Sequence, residues 1–246
     1  MLAIYVFVSA VFTIAVQDDD LSQKLWSKYR SAMVQGKLVM AEKMLTELIE
    51  VNEKNSTAFY LRGRLRFQLA KPKESVSDFD SHVKLSPRME SRQWERGISM
   101  YYAQQYKKGA EQFELYQTYH DNDVENSAWR FLCVAKTKSI DEARKNLLPI
   151  KNDTRVPMMQ IYEMFKGKLS PEKVLEAARA ESSSESEKNS ALFYANLYVG
   201  LLKEVEGKRE ESLKYISEAK KHKIAHYMWD VANVHDLLRK KSSEKE

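Results

Sequence analysis

Side chains that return every 34 residues constrain this chain more than any other feature. Tyr29, Gly63 and Gly97 share one phase; Ala41, Ser75, Gly109 and Ala143 share a second. Leu45, Phe79, Phe113 and Leu147 follow the same step, as do Val51, Leu85 and Tyr119. Pro87 and Asp121 fall at one late position, where a helix must end. A period of this length describes one supersecondary unit that cannot bury its own apolar face and must stack on copies of itself. Small residues in each half of the unit let two helices approach closely, and Leu or Phe fills the space between them.

Composition agrees with helices. Seven Gly and five Pro in 246 residues leave few turn punctuators for a β-sandwich, while 43% hydrophobic and 30% charged residues describe a folded chain. The expected pairs are 22–35/38–52, 56–69/73–86, 90–104/107–119 and 124–136/139–148. A shorter pair is expected at 155–166/170–180, with Ser170 and Pro171 as N-cap and first helical residue. The run 181–187 reads as a polar loop. A last unit at 190–221 recovers the spacing through Gly200, Gly207, Ser212, Ile216 and Ala219, and 225–240 reads as an amphipathic capping helix.

The stretch Gly63–Pro87 closely resembles the tetratricopeptide-repeat (TPR) consensus, with Ser75, Phe79, Val83 and Pro87 at the family's spacings. The resemblance implies an all-α, right-handed superhelical solenoid. Its repeats would lie at about 22–55, 56–89 and 90–123, with degenerate ones at 124–157 and 158–187, another at 190–223, a cap at 225–240 and a polar tail at 241–246. Segments such as 105–113, 126–129, 194–200 and 207–212 also resemble bacterial cell-envelope TPR lipoproteins of the NlpI type. Membership there would imply an adaptor that brings envelope hydrolases or proteases to their substrates. Those proteins carry a lipid-bearing cysteine after the signal, and this chain has none near residues 10–20.

In the TPR family the A helices line a concave groove through their positions 2, 5, 9 and 12. Here the fifth positions are Trp26, Tyr60 and Trp94; the ninth include Arg30 and Arg64; the twelfth are Met33, Phe67 and Tyr101. Aromatic and guanidinium groups at i and i+4 share a helix face and are frequent binding hot spots. A protein or peptide partner with an acidic group is the expected occupant; packing of the aromatics between repeats is the alternative. Lys and Asn at these positions, which the chaperone-tail carboxylate clamp uses, are replaced by Trp26 and Arg30.

Leu2 to Val16 is almost wholly apolar and is followed by Gln17 and Asp18 to Asp20. Fifteen helical residues span about 22 Å, short of a bilayer core. The length suits a signal peptide over 1–17, although no Lys or Arg precedes the run; an uncleaved membrane anchor is the alternative. The expectation is an exported, periplasmic or secreted scaffold without a stable membrane span once the signal is removed. The alternative is a membrane-tethered structural subunit; a homo-oligomer is left open.

No phosphate loop, nucleophile elbow or paired-cysteine pattern occurs, so neither catalysis nor a cofactor is expected. The net charge of +5 is dispersed among 40 basic and 35 acidic residues, which reads as a solvated helical surface and not as a nucleic-acid face. Cys133 lies in an apolar run and reads as a core residue; His222 and His226, spaced i,i+4 among lysines, lack a third metal ligand. Asn55 and Asn152 head glycosylation sequons by pattern alone.

Overall fold

The computed structural model describes residues 20–180 and 184–243, and every regular element among them is helical. The hydrophobic segment at 1–17 lies outside the described residues, as do 181–183 and 244–246. The helices are α1 (20–34), α2 (Leu38–Val51), α3 (Ser56–Gln68), α4 (Pro72–Leu85), α5 (Trp94–Tyr102), α6 (Tyr106–Gln117) and α7 (Val124–Thr137). They continue as α8 (Ile140–Lys145), α9 (Met158–Phe165), α10 (Pro171–Ala180), α11 (Glu185–Val205), α12 (Arg209–Lys221) and α13 (Tyr227–Ser243). None of the described helices is long and apolar enough to cross a membrane.

Neighbouring helices pack in chain order from α2 to α8, and Leu25 and Ala32 of α1 share a core with Ala41 and Met44 of α2, so the fold is a solenoid of antiparallel helix pairs. Its departures from the expected boundaries have local causes. Pro87 opens a short 3-10 turn, Pro87–Arg92, which delays α5 until Trp94. Ser184 caps the Glu187 N–H at 3.2 Å and starts α11 inside the run expected to be a loop. α8 ends at Lys145, and residues 146–157 form an irregular connector.

The turn within each of the first three pairs is the same object. Gly36, Ala70 and Gln104, spaced by the 34-residue step, have φ of +66°, +55° and +62°. In each, the next N–H closes a six-residue bond to the helix: Lys37 to Ala32 O, Lys71 to Arg66 O, and Gln105 to Met100 O, at 2.8 to 2.9 Å. Only the first turn has the glycine that left-handed backbone favours.

Within the pairs, bulk is exchanged between the helices. A Cβ placed on Gly97 would lie 2.7 Å from Phe113 Cζ, and one on Gly63 would lie 3.3 Å from Phe79 Cε1. At the same two positions the first repeat carries Tyr29 and Leu45, and the fourth carries Phe131 and Leu147. Where helix A is empty, helix B brings a phenyl ring; where helix A brings a ring, helix B retreats to leucine. Gly200 against Ile216 Cγ1 at 2.9 Å repeats the arrangement in α11 and α12. Close approach is fixed by a hydrogen bond as well, since the buried Ser75 Oγ donates to Gly63 O at 2.7 Å. Cys133 is fully buried, and a Cβ on Gly109 would meet its Sγ at 2.9 Å.

A second register, absent from the sequence reading, runs through Arg62, Arg96 and Arg130. Each guanidinium reaches 16 residues forward to its own helix B and 16 back to the preceding one. Arg62 binds Asp78 bidentately at 2.9 and 2.7 Å and Thr46 at 3.1 Å. Arg96 binds Gln112 and Asp80 at 2.7 and 2.8 Å; Arg130 binds Asn146 O and Glu114. One planar fork thus ties three successive helices.

The C-terminal part departs from a simple stack. α11 packs against α7 and α9 as well as α12, and α13 packs against both α12 and α3. The helix expected to close the last repeat therefore also returns to the second. Gln68 Nε2 donates to Asp230 at 2.7 Å, Tyr102 Oη meets His235 Nδ1 at 3.0 Å, and Arg239 donates to Glu204 at 2.8 Å. One core consequently runs from Phe67 to Val234, with a smaller one at residues 25–65.

Candidate functional site

The return of α13 decides what becomes of the expected groove. Arg64, Phe67 and Trp94 converge on Tyr227, the first residue of that helix, while Tyr60 packs on Phe79 and His82. Phe67 stacks on its ring at 5.4 Å, Trp94 meets it edge-on at 5.4 Å, and the Arg64 guanidinium lies 5.1 Å from its centroid. Tyr60 Oη donates to Glu95 at 2.8 Å. Phe67 and Tyr101 are fully buried, the latter donating its hydroxyl to Glu204 at 3.1 Å. Trp26 and Met33 stand apart on the first repeat, half-buried against the smaller core, with Trp26 edge-on to Tyr29; Arg30 beside them is exposed. The eight residues thus do not line one open channel. The aromatic ladder is occupied at its second and third rungs by the chain itself.

Trp94 also lines a cavity of about 530 Å³. Its apolar wall is Trp94, Phe113, Tyr116 and Trp129. Its polar wall is His120, Asn122, Asp123, Glu125 and Asn126 around the start of α7, together with Asn152 to Arg155 of the connector; His226 and Met228 close the side next to α13. His226 lies nearly parallel to the Trp94 indole, with ring centroids 5.9 Å apart.

The local folding of these segments follows from their caps. Asp123 accepts the Glu125 N–H at 3.1 Å and so begins α7, and Asp153 accepts the Val124 N–H at 3.2 Å. Arg155 then draws the segments together, donating to Asp123 at 2.8 Å, Glu125 at 2.7 Å and Asp153 at 2.6 Å. The other Glu125 oxygen accepts from Tyr198 Oη on α11 at 2.8 Å. Three carboxylates face one guanidinium.

That imbalance appears in the acidities. Burial, then the neighbouring Asp123 charge, pushes the Glu125 carboxyl up to about 7, against the opposing pull of Arg155 and Tyr198. Burial acts on Asp153 in the same sense, but its bonds to Arg155 outweigh it and leave the group more acidic than usual. Burial, with the Arg155 and Arg64 charges, lowers His226 and favours its neutral ring. Two polar atoms in the wall have no hydrogen-bond partner among the described residues: Asn126 Oδ1 and Trp129 Nε1, on side chains only 2% and 1% exposed.

Sequence reasoning found Trp94 and missed the rest of this site. The i,i+4 spacing of His222 and His226 suggests a structural or solvent role in preference to a metal site, and gives no sign that His226 stacks on Trp94. Asp123, Glu125, Arg155 and His226 carry no shared motif, because they come from three separate segments that only the closed fold brings together.

No protein-family profile and no curated protein matches the sequence. Among solved structures, the chain is similar to a tetratricopeptide repeat protein from Parabacteroides merdae. The two are 15% identical with a TM-score of 0.54, and 93% of each chain is covered. MamA from Desulfovibrio magneticus RS-1 aligns at 12% identity and TM-score 0.49, over 82% of this chain and 95% of that one. YrrB, described as a TPR protein with an unusual peptide-binding site, aligns at 15% and 0.46, over 89% and 95%. At 15% identity the likeness to the first of these is one of fold.

Proposed function

Starting from a tetratricopeptide-repeat solenoid fold, we propose that this protein is a non-catalytic scaffold that holds a peptide segment of a partner protein. The bound segment sits in the Trp94 cavity, on the part of the inner wall that α13 leaves uncovered. The observation that carries the reading is a cavity lined by the half-buried Trp94 and by side chains that hold buried polar atoms of both kinds without partners. The Trp129 N–H is a donor suited to a main-chain carbonyl, and the Asn126 carbonyl is an acceptor suited to an N–H.

Export belongs to the same proposal and rests on the apolar run Leu2–Val16. An envelope hydrolase or protease is the partner implied by the NlpI-type resemblance. A mature N-terminus near Val16, measured by mass spectrometry of protein from its native host, supports export. An intact Met1 supports the membrane-tethered alternative.

A catalytic reading stands second, favoured by Glu125 titrating near 7 inside a cavity. Against it, both Glu125 oxygens are engaged, one by Arg155 and one by Tyr198.

The binding reading is tested by selecting displayed random peptides of about 12 residues, a length that spans such a groove in extended form. Enriched peptides should bind the wild type and lose at least roughly tenfold in affinity, a hot-spot-sized effect, on Trp94→Ala or on Thr154→Trp. Thr154 is exposed at the rim, so the second variant plugs the cavity without disturbing the core. Absence of enrichment, or equal binding by both variants, would sink the proposal.

A further inference from the structure

We propose that the Trp94 cavity is a receptor for a basic side chain, so that the partner's segment presents an arginine or lysine there; this rests on the peptide-binding reading above. The argument begins with charge. Among the described residues, Arg155 is the cation paired with Asp123, Glu125 and Asp153, so the polar wall carries more negative than positive charge once all are ionised. His120 also lines the cavity, its ring stacked on Tyr116, and Arg155 is the one Lys or Arg among the lining residues. Tyr194 and Tyr198 of α11 and Tyr116 of α6 are neutral phenols, their ionisation opposed by burial. His226 from the start of α13 is held neutral, and Arg64 beyond it is engaged with Glu95 and the Tyr227 ring.

The opposite wall has the matching chemistry. Trp94, half-buried where Phe113, Tyr116 and Trp129 are buried, supplies aromatic surface, and aromatic rings attract a cation through their quadrupoles. Asn126 Oδ1 adds an acceptor that lacks a donor inside a nearly closed wall. A cavity of about 530 Å³ falls within the range of about 300–1,000 Å³ typical of ligand pockets, which accommodates a long side chain and its flanking main chain. A carboxylate ligand would meet the same acidic wall and be repelled.

A cation there also relieves the crowding that keeps Glu125 partly protonated. Binding therefore releases a proton from Glu125, and affinity rises with pH through about 7. The charged neighbours that set this response are Asp123 on the same helix and Arg155 and Asp153 on the connector.

The test uses the peptides enriched by the selection described above. The expected result is an arginine or lysine at one fixed place in them. Replacing that residue by norleucine should weaken binding at least tenfold. Asp123→Asn should do the same while keeping its α7 cap, because asparagine caps as well as aspartate. Affinity for wild type should tighten between pH 6 and pH 8, and that trend should be lost in Glu125→Gln. N-acetyl-arginine amide alone should shift the Trp94 and Trp129 indole N–H resonances at millimolar concentration, whereas N-acetyl-glutamate amide should not. Enriched peptides that need Trp94 but share no basic residue would overturn this inference and leave the binding reading intact. No enrichment at all would overturn both.

Discussion

Ala70 and Gln104 hold a backbone conformation that glycine holds in the first repeat. A residue with a Cβ meets its following carbonyl there, at a cost of about 1–2 kcal/mol, offset in part by the smaller chain entropy that it loses on folding. Ala70→Gly and Gln104→Gly are therefore each expected to stabilise the protein by about 0.5–1 kcal/mol, measured by urea denaturation. The reverse case is Gly97, whose missing side chain is replaced by the Phe113 ring 2.7 Å from where a Cβ would sit. Gly97→Ala should cost about 1–3 kcal/mol through overpacking, and adding Phe113→Leu should recover part of it by copying the Tyr29/Leu45 arrangement. If the double variant unfolds no later than the single one, the bulk-exchange account is wrong. The glycine phase was legible because it repeats; the left-handed turns were not, since alanine and glutamine give no signal for them.

At the scale of elements, the arginines at 62, 96 and 130 decide how one helix pair is held to the next. Arg62 is the most enclosed, its side chain 11% exposed beside Asp78 at 2%. Removing one member of a buried pair costs about 3–5 kcal/mol when the other is stranded. Asp78 keeps Arg66 at 2.9 Å, so Arg62→Ala should cost less, about 2 kcal/mol, in chemical unfolding. Arg62→Lys should recover little, because an ammonium cannot bind Asp78 through two nitrogens while reaching Thr46. These residues share the 34-residue step and could be read as a phase; what the sequence withholds is that they face helix B of two units and not water. Ser184 shows the same limit in reverse, since a polar serine run also contains the cap of a 21-residue helix.

The whole molecule is closed by α13, whose docking joins residues as distant in sequence as Gln68 and Asp230. Two buried groups on either side of this closure oppose each other in pH dependence. Burial lowers His235 to about 4 from its usual 6.5, so its stabilising contribution is complete above 6.5 and lost as pH falls toward 4. Glu125 is raised to about 7 from 4.5, so its contribution is complete below 4.5 and lost as pH rises through 7. Between 4.5 and 6.5 the two trends offset. Glu125→Gln should therefore unmask His235, giving a melting temperature that falls more steeply than wild type on acidification across that window. The difference is bounded at about 3 kcal/mol. Parallel profiles for variant and wild type would refute the assignment. Truncation after His222 should expose Phe67, Trp94 and Tyr102, which is checked by increased binding of an apolar dye and loss of a single cooperative melt.

The sequence by itself determined the helical solenoid, because each unit's requirement for a small residue against a large one is local and recurs in phase. It located the second and third rungs of the aromatic ladder for the same reason. Tertiary structure alone decided what those rungs touch. The amphipathic pattern of 225–240 specifies a buried face but no partner for it, and both the end of the stack and the inner wall satisfy that requirement. The Trp94 cavity is assembled where the second choice sets His226 on that indole, across from α7 and the connector. Contacts between residues more than a hundred positions apart depend on the summed rotation of every intervening pair, a quantity that no single motif encodes.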